Sequence, residues 1–419
     1  MRITILGAGR EIGRSAILIS VSNTVILLDY GVLMKDKQPD FPSHVPPKDL
    51  DVIVLTHAHL DHSGALPMLY VSEKKPIYMT KLTAELVDIL IRDLLRLSSY
   101  FLPYEVLELR SMLSNVLPVN YGDEVQVKEV RIKFFDAGHI PGSLMVLIEA
   151  EGKRVLYTGD FNVIPTRLLK AARIDLPELD AVITEATYVD VDHPDRGELE
   201  ERFVSDATEV VEGGGIVLVP AFSVGRSQEM LCVLAAHYFG YDVYLDGMAR
   251  EVSRIFLKYP DFFRDYGLLE RAIRSTLFIG SRADRRKACS KPGVIVTPAG
   301  MLKGGPAVHY MNRLAKDERN AIFLVSYQVP GTPGHNLLNT GKYAFGNRLE
   351  KVKALVKWYD FSSHLDKTRL LNFLNSLKGG PKVFMIHGEG AACEAFAKDV
   401  VEKTGLEVKS PINGESFNL

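Results

Sequence analysis

The sequence predicts an α/β protein built in two lobes, and three observations carry that prediction. Its 419 residues exceed the size at which one hydrophobic core usually keeps growing. Its first two hundred residues read mainly as short apolar strand runs separated by glycine and polar turns. From about residue 198, strand-like and helical patterns alternate, and βα alternation implies a mostly parallel sheet flanked by helices. Composition agrees: 47% hydrophobic and 24% charged residues are ordinary for a soluble globular chain. The net charge of −2 argues against a nonspecific polycation but leaves room for a local basic surface.

Strand runs open the chain at 2–6, 16–21 and 24–29, followed by Asp51 to Thr56 and Pro76 to Met79. Helical patterns cover Ala84 to about Leu97 and Tyr104 to Leu113, before strands near 125–135, 144–149 and 154–158. Strand Ala181 to Thr184 delivers Glu185. After the polar stretch Asp190 to Gly197 come helix 198–211, strand 216–219, helix 227–239, strand 242–245, helix 249–258, strand 294–297, helix 306–315 and strand 321–325. Val352 to Tyr359, helix 366–377, strand 382–386 and helix 391–403 then return to the first lobe. The expected domains are 1–195, an insertion 196–348, and 349–419. Glu185 leaves the first lobe and His364 re-enters it, so both are expected where the lobes meet, at a cleft suited to an extended single strand. No internal repeat or low-complexity tract is visible.

The most informative stretch is Thr56-His57-Ala58-His59-Leu60-Asp61-His62, where three imidazoles and a carboxylate follow a buried strand. A turn aims successive side chains at one centre more readily than a strand or helix does. Imidazole nitrogen and carboxylate oxygen suit zinc at about 2.0–2.2 Å. The spacing lets His57 and His59 reach one ion while Asp61 and His62 reach a second. A pair of ions about 3.5–4 Å apart activates water and stabilises a phosphoryl transition state. Solvated loop histidines are the bland alternative, and such a cluster rarely arises that way. More ligands are needed, and each follows a strand: His139 in Asp136-Ala-Gly-His139, Asp160 as a bridging carboxylate in Thr158-Gly-Asp160, and His387 in Ile386-His-Gly-Glu389. Taken singly, each would more often be a hydrogen-bonded structural residue; beside the first cluster they read as one site.

This order resembles the metallo-β-lactamase superfamily, whose fold is an αββα sandwich, and Asp29 in Leu27-Leu-Asp-Tyr-Gly31 looks like its first motif, an acid that orients metal ligands. Glu185 in Ile183-Thr-Glu-Ala-Thr-Tyr188, His364 in Phe361-Ser-Ser-His-Leu-Asp366 and His387 resemble motifs A, B and C of the β-CASP nucleases, whose second lobe is an insertion. Supporting matches run through Pro220 to Glu229, Asp246 to Ala249 and Thr297 to Leu302, so the resemblance spans nearly the whole chain. It is nearest to archaeal homologues of the cleavage and polyadenylation specificity factor nuclease subunit. Histidine at motif C favours RNA over DNA within that family.

The resemblance implies a metal-dependent ribonuclease with two zinc ions per chain, or manganese as the working metal. Asp61 would be both catalytic and ligating. His364 would serve as general acid, its protonated form stabilised by Glu185, and the products would carry a 5′-phosphate and a 3′-hydroxyl. Its partners would be single-stranded RNA and proteins of RNA processing or decay, with a homodimer as the implied oligomer. Met1 already opens the first strand, so amino-terminal KH-type modules are not expected, and little follows motif C to form a ribonuclease J-type terminal domain. Val408 to Leu419 could pair between subunits or supply a final strand of the first lobe.

Phosphate contacts are assigned to Ser223, Arg226, Ser362 and Ser363, where turns offer hydroxyls and free N–H groups, and to Arg285 and Arg286 in the basic run Ser281 to Lys287. For any one of them, a turn-capping serine or a solvated cation is the commoner role. Cys232, Cys289 and Cys393 form no C-x-x-C pair and read as free thiols. The amino terminus has no basic segment followed by an apolar core, and no run of about 18 apolar residues occurs, so a cytoplasmic protein with no membrane partner is expected. Two other classes compete. A small-molecule hydrolase of the glyoxalase type would use the same zinc loop but needs neither the insertion nor motifs A to C. A noncatalytic RNA-binding or scaffold subunit would not need the complete ligand set.

Overall fold

The computed structural model describes residues 1–35, 38–98 and 101–419. The chain divides into two compact units, Met1–Ile164 with Ala171–Asp192 and Ser363–Leu419, and Pro165–Lys170 with His193–Ser362.

The first unit contains two seven-stranded sheets. One runs, in spatial order, Ser416–Asn418, Arg2–Gly7, Ala16–Val21, Thr24–Leu28, Val52–Val54, Ile77–Met79 and Val116–Pro118. The other runs Val408–Lys409, Lys382–Ile386, Ala181–Glu185, Lys153–Tyr157, Leu144–Ala150, Val130–Asp136 and Glu124–Val127. Alternate residues decide how they stack. Ile17, Ile26 and Val54 of the first sheet share one core with Ile132, Val146, Tyr157, Ile183 and Phe384 of the second. The intervening residues of the second sheet, Leu147, Leu156, Val182 and Met385, pack with Phe373 and Phe396 from helices Lys367–Ser376 and Gly390–Thr404. Both faces of that sheet are therefore covered, which is why its strands read as unbroken apolar runs. The carboxy-terminal segment takes the within-lobe alternative, adding an edge strand to each sheet through Val408–Lys409 and Ser416–Asn418.

Strand direction places the chemistry. Val130–Asp136 and Lys153–Tyr157 are each antiparallel to Leu144–Ala150, while Lys153–Tyr157, Ala181–Glu185 and Lys382–Ile386 are parallel. The carboxyl ends of these four strands consequently share one edge of the sheet, and His139, Asp160, Glu185 and His387 follow or end them.

The second unit holds a six-stranded, wholly parallel sheet in the order Leu277–Phe278, Val243–Leu245, Gly293–Thr297, Ile216–Pro220, Ala321–Leu324 and Leu355–Trp358. Its boundaries differ from 196–348 in three places. The unit begins at His193, and Asp195 caps helix Arg196–Glu212 by accepting from Gly197 N and Glu198 N. It ends at Ser362 because Leu355–Trp358 pairs with Ala321–Leu324 instead of re-entering the first unit. It also takes Pro165–Lys170, since Arg167 N and Leu168 N donate to the buried Glu229 at 3.0 and 2.8 Å and Arg167 Nε reaches Glu200 at 2.7 Å. Helices Tyr266–Ser275, Arg282–Ala288 and Pro333–Thr340 are additions to the elements expected from the sequence, and Asp265, Ser281 and Thr332 cap them. Among the described residues, no helix is long and apolar enough to cross a membrane.

Candidate metal centre

The strand Val52–Val54 ends in a turn that places His57 and then enters a single helical turn, Leu60–Ser63, with His59 at its amino-terminal boundary. Gly31 makes this approach feasible, because a Cβ there would lie 1.7 Å from the carbonyl oxygen of Asp61. The sequence-predicted ligands converge. Donor atoms of His57, His59, His139 and Asp160 lie within 4.8 Å of one another, as do those of Asp61, His62 and His387. Asp160 stands between the groups: Oδ2 is 3.5 Å from His57 Nε2 and 3.6 Å from His139 Nε2, while Oδ1 is 3.3 Å from His62 Nε2 and 3.7 Å from His387 Nδ1. Asp61 Oδ2 meets His387 Nε2 at 3.2 Å.

Burial and charge divide the imidazoles. Burial, reinforced by neighbouring histidines, holds His57 and His139 well below the usual histidine range, and burial brings His59 down to about 4. All three offer neutral nitrogens at pH 7. Burial opposes protonation of His62 and His387 too, but Asp160, with Asp29 and Asp61 respectively, raises both. A cation bound in the second group would compete with protons for these nitrogens. His57 Nε2 and Asp160 Oδ1 are buried without a hydrogen bond of acceptable geometry. A buried polar atom left so is costly, and a divalent cation bound by neutral imidazoles and carboxylates would satisfy both. The donor set therefore fits metal, with nitrogen and oxygen ligands of the kind zinc accepts.

Asp29 is fully buried and adopts φ 58°, a conformation uncommon for a residue with a side chain. It accepts from Thr56 N at 2.7 Å, Thr56 Oγ1 at 2.8 Å and Tyr157 OH at 2.8 Å, and its Oδ2 contacts His62 Nδ1 at 2.7 Å. That last contact leaves His62 Nε2 facing Asp160 and fixes which ring nitrogen faces the centre. The carbonyl of Ser363 does the same for His139, accepting from Nδ1 at 2.9 Å. Sequence reasoning missed Thr56, Tyr157 and the Ser363 carbonyl; the expected role of Ser363 was its hydroxyl.

Glu185 ends its strand, buried, with Oε1 accepting from Phe161 N at 2.9 Å and Oε2 meeting His364 Nδ1 at 2.7 Å. The His364 ring lies 4.5 Å from that of His139, centre to centre. Burial would depress its pKa, but the charge of Glu185, then Asp160, and the Glu185 hydrogen bond lift it to about 9. Thr187, also missed, contacts both Glu185 and His387.

The remaining predicted residues belong to the second unit. Ser223 lies in the turn after Ile216–Pro220, where its carbonyl accepts from Gln228, and Arg226 opens helix Arg226–Ala236. Ser362 N donates to Asp360 Oδ1 at 3.3 Å. Arg286 is exposed on helix Arg282–Ala288. Arg285 has a partner that its basic run does not show: Nε and Nη2 reach the two oxygens of buried Asp246 at 2.7 and 3.1 Å, and Tyr310 OH donates to the same carboxylate at 2.8 Å. That guanidinium is occupied in holding its own unit together.

An αββα sandwich with this buried histidine and carboxylate cluster at one sheet edge defines a metal-binding hydrolase. Residues 9–201 match the Metallo-beta-lactamase superfamily, 227–337 the Beta-Casp domain and 350–411 the Zn-dependent metallo-hydrolase RNA specificity domain. The chain is 41% identical over its full length to RNase aCSPSF2 of Saccharolobus solfataricus, covering 85% of that protein. It is 34% identical to the probable RNase MJ4 of Methanocaldococcus jannaschii, over all of both chains. A crystal structure of a protein of unknown function from Enterococcus faecalis superposes with a TM-score of 0.65 at 14% identity, covering 100% of this chain and 99% of that one. The chain therefore belongs to the β-CASP family of the metallo-β-lactamase superfamily.

Proposed function

We propose that this protein is a zinc-dependent ribonuclease that hydrolyses phosphodiester bonds of single-stranded RNA. The observation that carries the reading is the Glu185–His364 pair at 2.7 Å, standing beside a centre with donors for two cations. RNA as substrate is supported by the relatives named as RNases and by the RNA specificity match at 350–411. Histidine at position 387 favours RNA over DNA by resemblance.

His57, His59, His139 and Asp160 would hold one zinc ion, and Asp61, His62, His387 and the same Asp160 the other, with Asp29 orienting His62. When bound, such ions supply a nucleophile from water near neutral pH and neutralise charge on the nonbridging oxygens. The rest falls to side chains. Water gives up one proton to solvent as its oxygen bonds to phosphorus, the bond from phosphorus to the 3′ oxygen breaks, and that oxygen takes a proton from His364 Nε2. His364 Nδ1 stays on Glu185, which assigns the transfer to Nε2 and stabilises the imidazolium before it. A placed acid of this kind is worth about 10²–10⁴ in rate. The products are a 5′-phosphate and a 3′-hydroxyl.

The test is product length against time for zinc-loaded protein on single-stranded RNA and sequence-matched DNA, end-labelled at 5′ or 3′ in separate samples. RNA cleavage yielding 5′-phosphates is expected. Cleavage of DNA alone, or of neither with zinc demonstrably bound, would overturn the reading.

A further inference from the structure

Glu185 and Ile386 are register partners at the ends of adjacent parallel strands, so His387 emerges beside the acid-positioning carboxylate. Thr187 lies two residues past Glu185, and its hydroxyl enters the gap between them. Oγ1 is 2.5 Å from Glu185 Oε2, 3.2 Å from His387 Nδ1 and 3.2 Å from the His387 carbonyl. A threonine after a strand ordinarily bonds to its own local backbone; here two of the three contacts reach a residue 200 positions away.

Proton counting gives the contacts a direction. His387 Nε2 meets Asp61 Oδ2 at 3.2 Å, while Nδ1 lies nearer the Thr187 hydroxyl, at 3.2 Å, than Asp160 Oδ1, at 3.7 Å; a ring serving the centre through Nε2 carries its proton on Nδ1. The Thr187 oxygen can accept that proton, and its single hydroxyl proton then goes to the nearer, charged Glu185 Oε2. The same carboxylate oxygen accepts from His364 Nδ1. His387 also has φ 53°, and its N–H is held by the Ala8 carbonyl at 2.8 Å. A side chain in so restricted a backbone depends on its surroundings to stay in place.

We propose that Thr187 is a positioning residue that couples the cation-facing imidazole of His387 to His364 through the shared carboxylate of Glu185. The hydroxyl fixes the ring nitrogen His387 presents to the centre and limits where the Glu185 oxygen can sit. Ordering of His387 by a bound cation thereby orders the acid.

The test compares Thr187→Val, which keeps shape and removes the hydroxyl, with Thr187→Ser, which restores it. Zinc affinity is read by chelator competition, and kcat and KM on a short single-stranded RNA. Partners of metal-ligating histidines are worth about 10–100-fold in affinity or activity. Thr187→Val is therefore expected to weaken the looser zinc equivalent and lower kcat, each by about tenfold or more, with KM little changed. Thr187→Ser should recover both to within about threefold by the same measure. Wild-type zinc affinity and kcat in Thr187→Val would overturn the proposal; so would a loss of kcat with zinc affinity intact, or equal losses in Val and Ser. Should the valine variant fail to fold, Thr187→Ala reads the same two quantities. The kinetic arm rests on the ribonuclease reading, but the zinc arm does not. A wild-type protein that leaves RNA intact would sink that reading while chelator competition still decides the role of Thr187.

Discussion

Two of the buried charged clusters among the described residues are put together on opposite principles. In the second unit, Asp246 is compensated from within: Arg285 grips both oxygens, Tyr310 donates to one and Gly247 N to the other. In the first unit, histidines and aspartates are packed so that His57 Nε2 and Asp160 Oδ1 lack a satisfactory hydrogen bond, and imidazole rings adjoin, His62 and His387 at 5.1 Å between centres. Folding alone completes the first kind of cluster. The second kind is completed by something that binds, and its unmet demand marks it as functional. Counting charged residues in a sequence does not distinguish the two; tracing their partners does.

Breaking the incomplete cluster should have the largest effect. Asp160→Asn keeps side-chain shape but removes the charge shared by both cation groups, so zinc content and RNA cleavage should fall together, the latter by about 10³-fold or more, of the order seen when catalytic groups that act as a unit are removed. Metal analysis alongside single-turnover rates checks this, and full zinc content with wild-type cleavage would deny Asp160 its bridging place.

Next in size is the pH response set by Glu185. Its charge lifts His364 to about 9 from an ordinary 6.5, so the acid is protonated at pH 7 and is lost as pH rises through that higher value. Bound cations would lower the point by repulsion. Because the folded value is the raised one, the associated stability is fully present below about 6.5 and disappears as pH climbs through about 9. Glu185→Gln should therefore move the alkaline limb of kcat/KM to lower pH. A limb that stays put would assign it to another group.

The self-compensated cluster should respond in stability and not in rate. Arg285→Met leaves a buried carboxylate with fewer partners and should cost about 3 kcal/mol, toward the lower end of the loss expected for a broken buried pair, read as a fall in denaturation midpoint. Cleavage of a short RNA by the folded fraction should stay within about twofold, where ordinary surface substitutions fall. A large rise in KM instead would restore Arg285 to the RNA surface. Smallest of all is Arg286→Glu. That side chain is exposed, without an ion-pair partner among the described residues. If it meets a phosphate, the slope of log affinity against log salt should fall by about 1; an unchanged slope removes it.

How much the sequence disclosed follows the same division. The candidate ligands were legible because each is a chemically distinctive residue in the turn that follows a strand, and those turns converge. Their supports were not. Tyr157 reads as an ordinary core aromatic until its hydroxyl is found on Asp29, and the Ser363 carbonyl that holds His139 carries no side-chain signal. Thr187 lies inside the Ile183 to Tyr188 stretch, but its partner is 200 residues distant. At the fold level, Val352 to Tyr359 looked like the return to the first lobe, since an apolar run does not say which sheet will pair with it. Pairing of Leu355–Trp358 with Ala321–Leu324 decided the matter. The structural role of Arg285 is hidden for the converse reason: a basic run shows its charge, but not the buried Asp246 that one member serves.

The most direct measurement is zinc content and single-turnover RNA cleavage on one preparation of His364→Ala beside the wild type. Two zinc ions per chain in both, with cleavage slowed by about 10²–10⁴ in the variant, is the expected result, because His364 would act as a proton donor beside the cations and not as a ligand. Loss of zinc in step with the rate, or full activity without the imidazole, would contradict it.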